Sequence, residues 1–136
     1  FEWSISIGVE NAPTSPGIYQ ILSHEEHAFG SSNTLCNNAG VACGQWDMTW
    51  FMGIYEIQAG LVNGFHGKVL LPNGGYLGNN AIGEQITFGC VMSGEDEAKM
   101  LYDWAELGTI VEILSREYAP MSDLGRATLE RISNDL

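Results

Sequence analysis

A mainly β domain, a folded-over sheet or sandwich with one helix in its second half and a further helix at the C terminus, is what this sequence predicts. Three observations carry that prediction. Short β-branched and aromatic runs recur from residue 4 to residue 92, separated by Gly-, Pro- and Asn-rich punctuation. Helical spacing enters only after Ser93, and a β-branched run returns at residues 109–114. The chain has 136 residues, enough for one domain with a core and too few for two ordinary ones. Residues 1–116 read as that domain and residues 117–136 as a helical tail.

Taken in order, residues 4–9 (Ser-Ile-Ser-Ile-Gly-Val) alternate polar and apolar, the pattern of a half-buried strand. Residues 11–17 (Asn-Ala-Pro-Thr-Ser-Pro-Gly) form a turn-rich connection to a second strand at 18–22. Residues 24–38 are polar and rich in small side chains, and read as a long loop. Residues 47–57 (Asp-Met-Thr-Trp-Phe-Met-Gly-Ile-Tyr-Glu-Ile) read as one or two strands, and Phe65 opens another. Pro72-Asn73-Gly74-Gly75 is a hairpin turn signal between residues 69–71 and 76–77. Ser93 suits a helix cap, with Glu95 and Asp96 at the positive end of the dipole. Ala98, Leu101, Trp104 and Ala105 share a helix face directed at the core, and Gly108 ends the helix. Pro120 breaks the chain again. Leu124, Leu129, Ile132 and Leu136 are the apolar set of the C-terminal helix.

Five basic against 17 acidic residues give a formal net charge of −12. Nucleic acid and anionic membranes are excluded as partners on this balance, because both are bound through Lys and Arg. The field mildly attracts cationic groups such as amines. No apolar run reaches the ~18 residues that cross a bilayer. No basic segment precedes an apolar stretch at the start, so no signal peptide is expected in these residues and the chain reads as trimmed.

The three cysteines differ in context. Cys36 and Cys43 lie in a Gly- and Asn-rich loop, where a disulfide would stabilise by about 2.5 kcal/mol on the chain-entropy argument and would imply an oxidising compartment. Cys90 is then left as the odd thiol, a candidate nucleophile. It follows Gly89, whose missing side chain lets a carbonyl approach the backbone. His66 stands 24 residues upstream in an apolar segment. A nearby imidazolium converts a weak thiol into a thiolate, the amides of Gly89 and Cys90 suit an oxyanion, and the helix after Ser93 adds a positive dipole. An inert buried cysteine is the alternative. His24 and His27 lie three apart with no third ligand in view, so no metal site is assigned. Trp46, Trp50, Phe51 and Tyr55 suit either a core or the rim of a glycan groove. Lys68 suits either a surface position or a contact to a substrate carboxylate.

Several segments together resemble the L,D-transpeptidase catalytic domain, the fold named after the YkuD protein. Residues 14–22 resemble the family's threonine-proline-threonine-glycine turn and following strand. Phe51-Met-Gly-Ile-Tyr55 with Asn63-Gly-Phe-His-Gly67 resembles the segment ending in its first histidine. Thr87-Phe-Gly-Cys-Val91 resembles its serine/threonine-histidine-glycine-cysteine signature, and residues 96–113 resemble the helix and strand beyond. The resemblance implies that Cys90 attacks the third residue of a peptidoglycan stem peptide and expels the terminal D-alanine. It implies that His66 takes the thiol proton, that the amides of Phe88, Gly89 and Cys90 hold the oxyanion, and that an amine of a second stem resolves the thioester into a 3→3 cross-link. Gly67, Lys68, Tyr55 and Trp50 are the substrate contacts expected on this basis. No cofactor is implied, and the location implied is exported, at the cell wall, periplasm or cell surface. Phe88 replaces the signature's histidine, and Met92 replaces the Arg or Asn usual two residues after the cysteine. The strand hairpin usual before residue 4 is absent, so a partner chain or a further segment is expected to complete the sheet edge. An L,D-carboxypeptidase and a non-catalytic wall-binding or assembly module are the alternatives.

Overall fold

The computed structural model describes residues 1–31 and 44–135. Cys36 and Cys43, with the disulfide expected between them, lie outside the described residues. The strands are β1 (Ile7–Gly8), β2 (Gly17–Gln20), β3 (Glu25–Ser31), β4 (Gln45–Gln58), β5 (Leu61–His66), β6 (Val69–Leu70), β7 (Gln85–Thr87), β8 (Val91–Met92) and β9 (Ile110–Ile113). The helices are α1 (Glu95–Trp104) and α2 (Asp123–Asp135), with a 3₁₀ turn at Leu77–Asn80. The fold is mainly β, with one helix following Cys90 and a second at the C terminus.

The long strand β4 organises the sheet. It pairs antiparallel with β3 on one side, and with β5 and then β6 on the other. Its run Phe51–Ile54 is buried at four successive positions, because both of its faces are covered. Trp50 interrupts it with a φ of 53°, a left-handed conformation that costs a bulky residue roughly 1–2 kcal/mol unless its surroundings hold it there. The chain beside it changes from β5 to β6 at this level. β5 also pairs in parallel with β8, which brings the segment after Cys90 against the His66 strand. β1 joins β7 in parallel, and Ser6 bridges Met92 through two backbone hydrogen bonds of 2.8 Å. β2 pairs with β9, and Leu22 donates to the Gly53 carbonyl at 2.8 Å to tie that pair to β4.

Two apolar clusters form the core. Trp46, Val69, Leu77 and Met92 form one, and Ile21, Met52, Ile54 and Ala105 form the other. Each side chain fully withdrawn from water contributes roughly 1.5–3 kcal/mol before entropy is charged against it.

Five sequence expectations are corrected. Residues 25–31, read as loop, are strand β3; its Glu25, Glu26 and His27 are exposed, as suits a charged edge strand. In the first strand Ser6 is buried and Ile5 is 38% exposed, the reverse of the expected facing. The Ser6 hydroxyl explains this, since it donates to the Ala81 carbonyl at 3.0 Å and receives the amides of Gly83 and Glu84. Ser93 does not cap α1. Gly94 is the cap residue, and the Ser93 hydroxyl instead accepts the Trp3 indole N–H at 3.1 Å. Trp104 is 62% exposed with its ring edge against Phe1, while Ala98, Leu101 and Ala105 do face the core. In α2, Leu124 and Ile132 are exposed, and the helix is tied down by polar contacts to Glu112.

Candidate active site

Strand β5 ends at His66, whose side chain is buried. The parallel register sets Phe65 opposite Val91 and His66 opposite Met92. Continued one step back, it sets Cys90 beside Gly64, whose amide hydrogen-bonds the thiol. His66 and Cys90 line the same cavity of about 410 Å³, together with Asn63, Thr87, Phe88 and Trp46 among others. Among the described residues Glu25 is the one charged side chain in that lining, and no Lys or Arg belongs to it.

The hydrogen bonds define the protonation of both groups. His66 Nδ1 lies 2.7 Å from the Gly67 carbonyl oxygen. That oxygen can only accept, so Nδ1 carries the hydrogen and Nε2 of the neutral ring keeps its lone pair. Burial lowers the His66 pKa to about 4, against a smaller upward pull from the Gly67 carbonyl. The Cys90 thiol donates to Asn63 Oδ1 at 3.6 Å. Burial raises its pKa to about 11, against the Gly64 amide, which lowers it. The resting pair is therefore a neutral thiol and a neutral imidazole, not the thiolate and imidazolium expected from the sequence. The helix dipole does not reverse this, because the first turn of α1 carries Glu95, Asp96 and Glu97.

Asn63 was not among the expected site residues, yet it touches the thiol directly. Its amide orientation is fixed, since Nδ2 donates to the Tyr55 hydroxyl at 3.0 Å and leaves Oδ1 for the sulfur. The Tyr55 hydroxyl also receives the Ser15 amide at 3.1 Å, and its ring stacks on Tyr19. The Asn63 amide lies flush against Gly89, and a β-carbon there would collide with Nδ2. Gly89 has a φ of 116°, so both its conformation and its packing require glycine. Alternation places Asn63 three residues before His66, which is no sequence signal by itself; only the β5–β8 register makes it a neighbour of the thiol.

The remaining expected residues separate into two groups. Phe88 is at the cavity, where its ring stacks on Trp46 with centroids 5.4 Å apart. The Gly89 amide is already bonded to Thr87 Oγ1 at 3.3 Å and its carbonyl receives Thr14 Oγ1 at 2.8 Å, so the Cys90 amide is the other donor of the expected pair. Met92 is fully buried in the core. Gly67, Lys68, Tyr55 and Trp50 are not in the lining of this cavity. Gly67 packs beneath α1, Lys68 lies 5.4 Å over the Tyr76 ring, and Trp50 donates to Glu95 Oε1 at 2.9 Å. His27 pairs with Asp47 at 3.0 Å, which raises its pKa, and His24 packs against Tyr102. Among the described residues no group of three His, Cys, Asp or Glu side chains is placed to hold a metal ion. Among the described residues no helix is long and apolar enough to cross a membrane.

No family model matches the sequence, and no curated protein matches it significantly. Solved structures do match. L,D-transpeptidase 3 from Mycobacterium tuberculosis superposes with a TM-score of 0.63 at 19% identity, covering 82% of this chain and 43% of that one. An L,D-transpeptidase from Mycobacterium smegmatis matches at 0.60 and 16% identity, covering 82% and 48%. The L,D-transpeptidase LdtMt1 in complex with imipenem matches at 0.60 and 16% identity, covering 82% and 47%. The chain spans less than half the length of each of these structures. At such identities the likeness speaks for architecture, and the architecture of this chain is the L,D-transpeptidase fold.

Proposed function

We propose that this chain is a cysteine acyltransferase of the L,D-transpeptidase type, acting on peptidoglycan stem peptides outside the cytoplasm, with residues 1–116 as the catalytic domain. The observation that carries this reading is the sharing of one cavity by Cys90 and a His66 whose tautomer leaves Nε2 basic. Because both groups rest neutral, the thiol proton passes to Nε2 as sulfur attacks the carbonyl carbon. The oxyanion that forms faces the Cys90 amide. Collapse breaks the amide C–N bond, and the imidazolium returns the proton to the departing amine, leaving a thioester on Cys90. An amine of a second stem then attacks the thioester and regenerates the thiol, forming a 3→3 cross-link; water in its place would make the enzyme an L,D-carboxypeptidase.

Imipenem is the probe, since its β-lactam carbonyl acylates a thiol by opening the ring C–N bond without losing the fragment. Intact mass of the wild-type chain is expected to rise by the mass of one imipenem, and Cys90→Ser and His66→Gln to prevent or strongly slow the gain. A folded wild-type chain with reduced Cys90 that never gains this mass defeats the proposal. One set of contacts favours a second reading, a stem-peptide-binding module without turnover. Phe88 fills the signature histidine's place by stacking on Trp46, and Met92 is committed to the core. That reading is distinguished by saturable binding of a tetrapeptide stem with no thioester and no product.

A further inference from the structure

The peptide unit joining Gly67 to Lys68 is hydrogen-bonded at both ends. Its carbonyl receives the Nδ1–H of His66 at 2.7 Å, and its N–H donates to Glu95 Oε2 at 3.3 Å. From this we infer that Glu95 is a positioning residue for His66, acting through that peptide; the inference rests on His66 being the base of the proposed reaction. A carboxylate at the N–H end of an amide draws its resonance toward the charge-separated form and makes the carbonyl oxygen a stronger acceptor. The hydrogen is thereby held on Nδ1, and Nε2 keeps its lone pair toward the cavity chemistry. Glu95 is outside the cavity lining and would touch neither substrate nor thiol.

The carboxylate is itself fixed from three directions. Thr49 Oγ1 donates to Oε2 at 2.6 Å, Trp50 Nε1 donates to Oε1 at 2.9 Å, and the Lys68 amide supplies the third bond. The left-handed backbone at Trp50 is what turns its indole to this carboxylate, so the strain in β4 and the support of His66 share one cause. Gly67 completes the arrangement. A β-carbon there would stand 2.5 Å from Thr49 Oγ1 and 2.6 Å from Glu95 Oε2, so the close approach requires glycine. Its amide is also secured, donating to the Thr49 carbonyl at 2.8 Å. The charged side chains near Glu95 are Asp96 and Glu97 on its own helix, Lys99 one turn on over the Trp50 ring, and Lys68 and His27 from the facing strands.

Glu95→Gln tests the inference, because it keeps two polar atoms of the same shape and removes the charge. Three readouts are needed on the whole chain: the thermal midpoint, the imidazole ¹⁵N shifts of His66, and the rate of mass gain with imipenem. Expected are a midpoint a few degrees below wild type, because the new amide nitrogen cannot accept from the Thr49, Trp50 or Lys68 donors that the carboxylate serves, movement of the His66 nitrogens toward a mixture of tautomers, and acylation slower by roughly tenfold, the scale of one charge-assisted hydrogen bond. Glu95→Asp, which keeps the charge one methylene further back, is expected to restore part of the rate. If Glu95→Gln fails to fold, Glu95→Asp is read the same way against wild type. Wild-type nitrogen shifts together with a wild-type rate in the folded variant overturn the inference. If the wild-type chain is never acylated, the proposed reaction fails, and the nitrogen shifts alone decide whether Glu95 sets the tautomer.

Discussion

Two carboxylates stand at the two helix starts of this chain, and each is pressed against a glycine. Glu95 opens α1, lies against Gly67, and gathers donors from Thr49, Trp50 and Lys68, all distant in sequence. Glu112 lies on β9 against Gly125 and gathers the Met121 amide, the Ser122 amide and the Ser122 hydroxyl, all within ten residues along the chain. The same chemical device therefore does two kinds of work. Around Glu95 it locks a helix to strand β4 and to the Gly67–Lys68 peptide that follows His66. Around Glu112 it fastens the start of α2 to the segment before it, outside the lining of the cavity. Loss of the first should disturb tertiary structure and chemistry together, and loss of the second should loosen only the tail.

The largest expected separation between the two regions is in acid. His66 has a pKa lowered from 6.5 to about 4 by burial, so the unfolded chain takes up a proton that the folded chain refuses. Stability is intact above pH 6.5 and is lost as pH falls from 6.5 to 4, in total about 3 kcal/mol. Glu112 has a pKa lowered chiefly by the Ser122 hydroxyl, so its contribution is present above the ordinary carboxylate pKa of 4.5 and is lost only as pH falls through the lower, folded value. The site should thus weaken before the tail fastening does. Denaturant unfolding at pH 7 and pH 5 should show a drop for wild type and little for His66→Gln; equal drops would place the titrating group elsewhere. In alkali the sign reverses at Cys90, whose raised pKa means stability is lost as pH climbs from 9 to about 11, and Cys90→Ser should remove that limb.

Next in size is Gly67→Ala. The added methyl would meet Thr49 Oγ1, Glu95 Oε2 and the Ala98 β-carbon, none of which can withdraw without breaking the clamp. Overpacking of this kind costs about 2 kcal/mol. Because the peptide that orients His66 moves with it, the imipenem reaction should slow as well. A loss of stability with an unchanged rate would show that the clamp serves packing alone.

Legibility in the sequence follows the same division between local and distant causes. The mainly β character, the turn at Pro72–Gly75 and the presence of a helix after Cys90 come from patterns a few residues long, and these were readable. His66 and Cys90 stood out in the sequence at the ends of short apolar runs, and both line one cavity. What escaped reading depends on contacts across tens of residues. Among the described residues strand β3 pairs with β4 alone, and its exposed Glu25, Glu26 and His27 leave no apolar alternation to read. Ser6 faces inward because a hydroxyl there caps the turn at Ala81–Glu84. Asn63 meets the thiol and Glu95 meets the Lys68 amide only through tertiary register. The neutral resting state was also out of reach, since it follows from the burial of both groups and not from their spacing.

The smallest effect expected is that of Gly125→Ala, the counterpart at Glu112. A β-carbon at Gly125 would collide with the Glu112 carboxylate, as one at Gly67 would with Glu95. Here, however, the obstacle is the far end of a flexible side chain that reaches toward solvent, and it can swing aside at the cost of its bonds to Met121 and Ser122. Alanine also gains about 1 kcal/mol over glycine inside a helix, which offsets much of that loss. The midpoint should therefore barely move and acylation by imipenem should match wild type, while amides at the start of α2 exchange faster with deuterium. A slowed reaction in this variant would mean that the tail communicates with the cavity, and would remove the contrast between the two carboxylates.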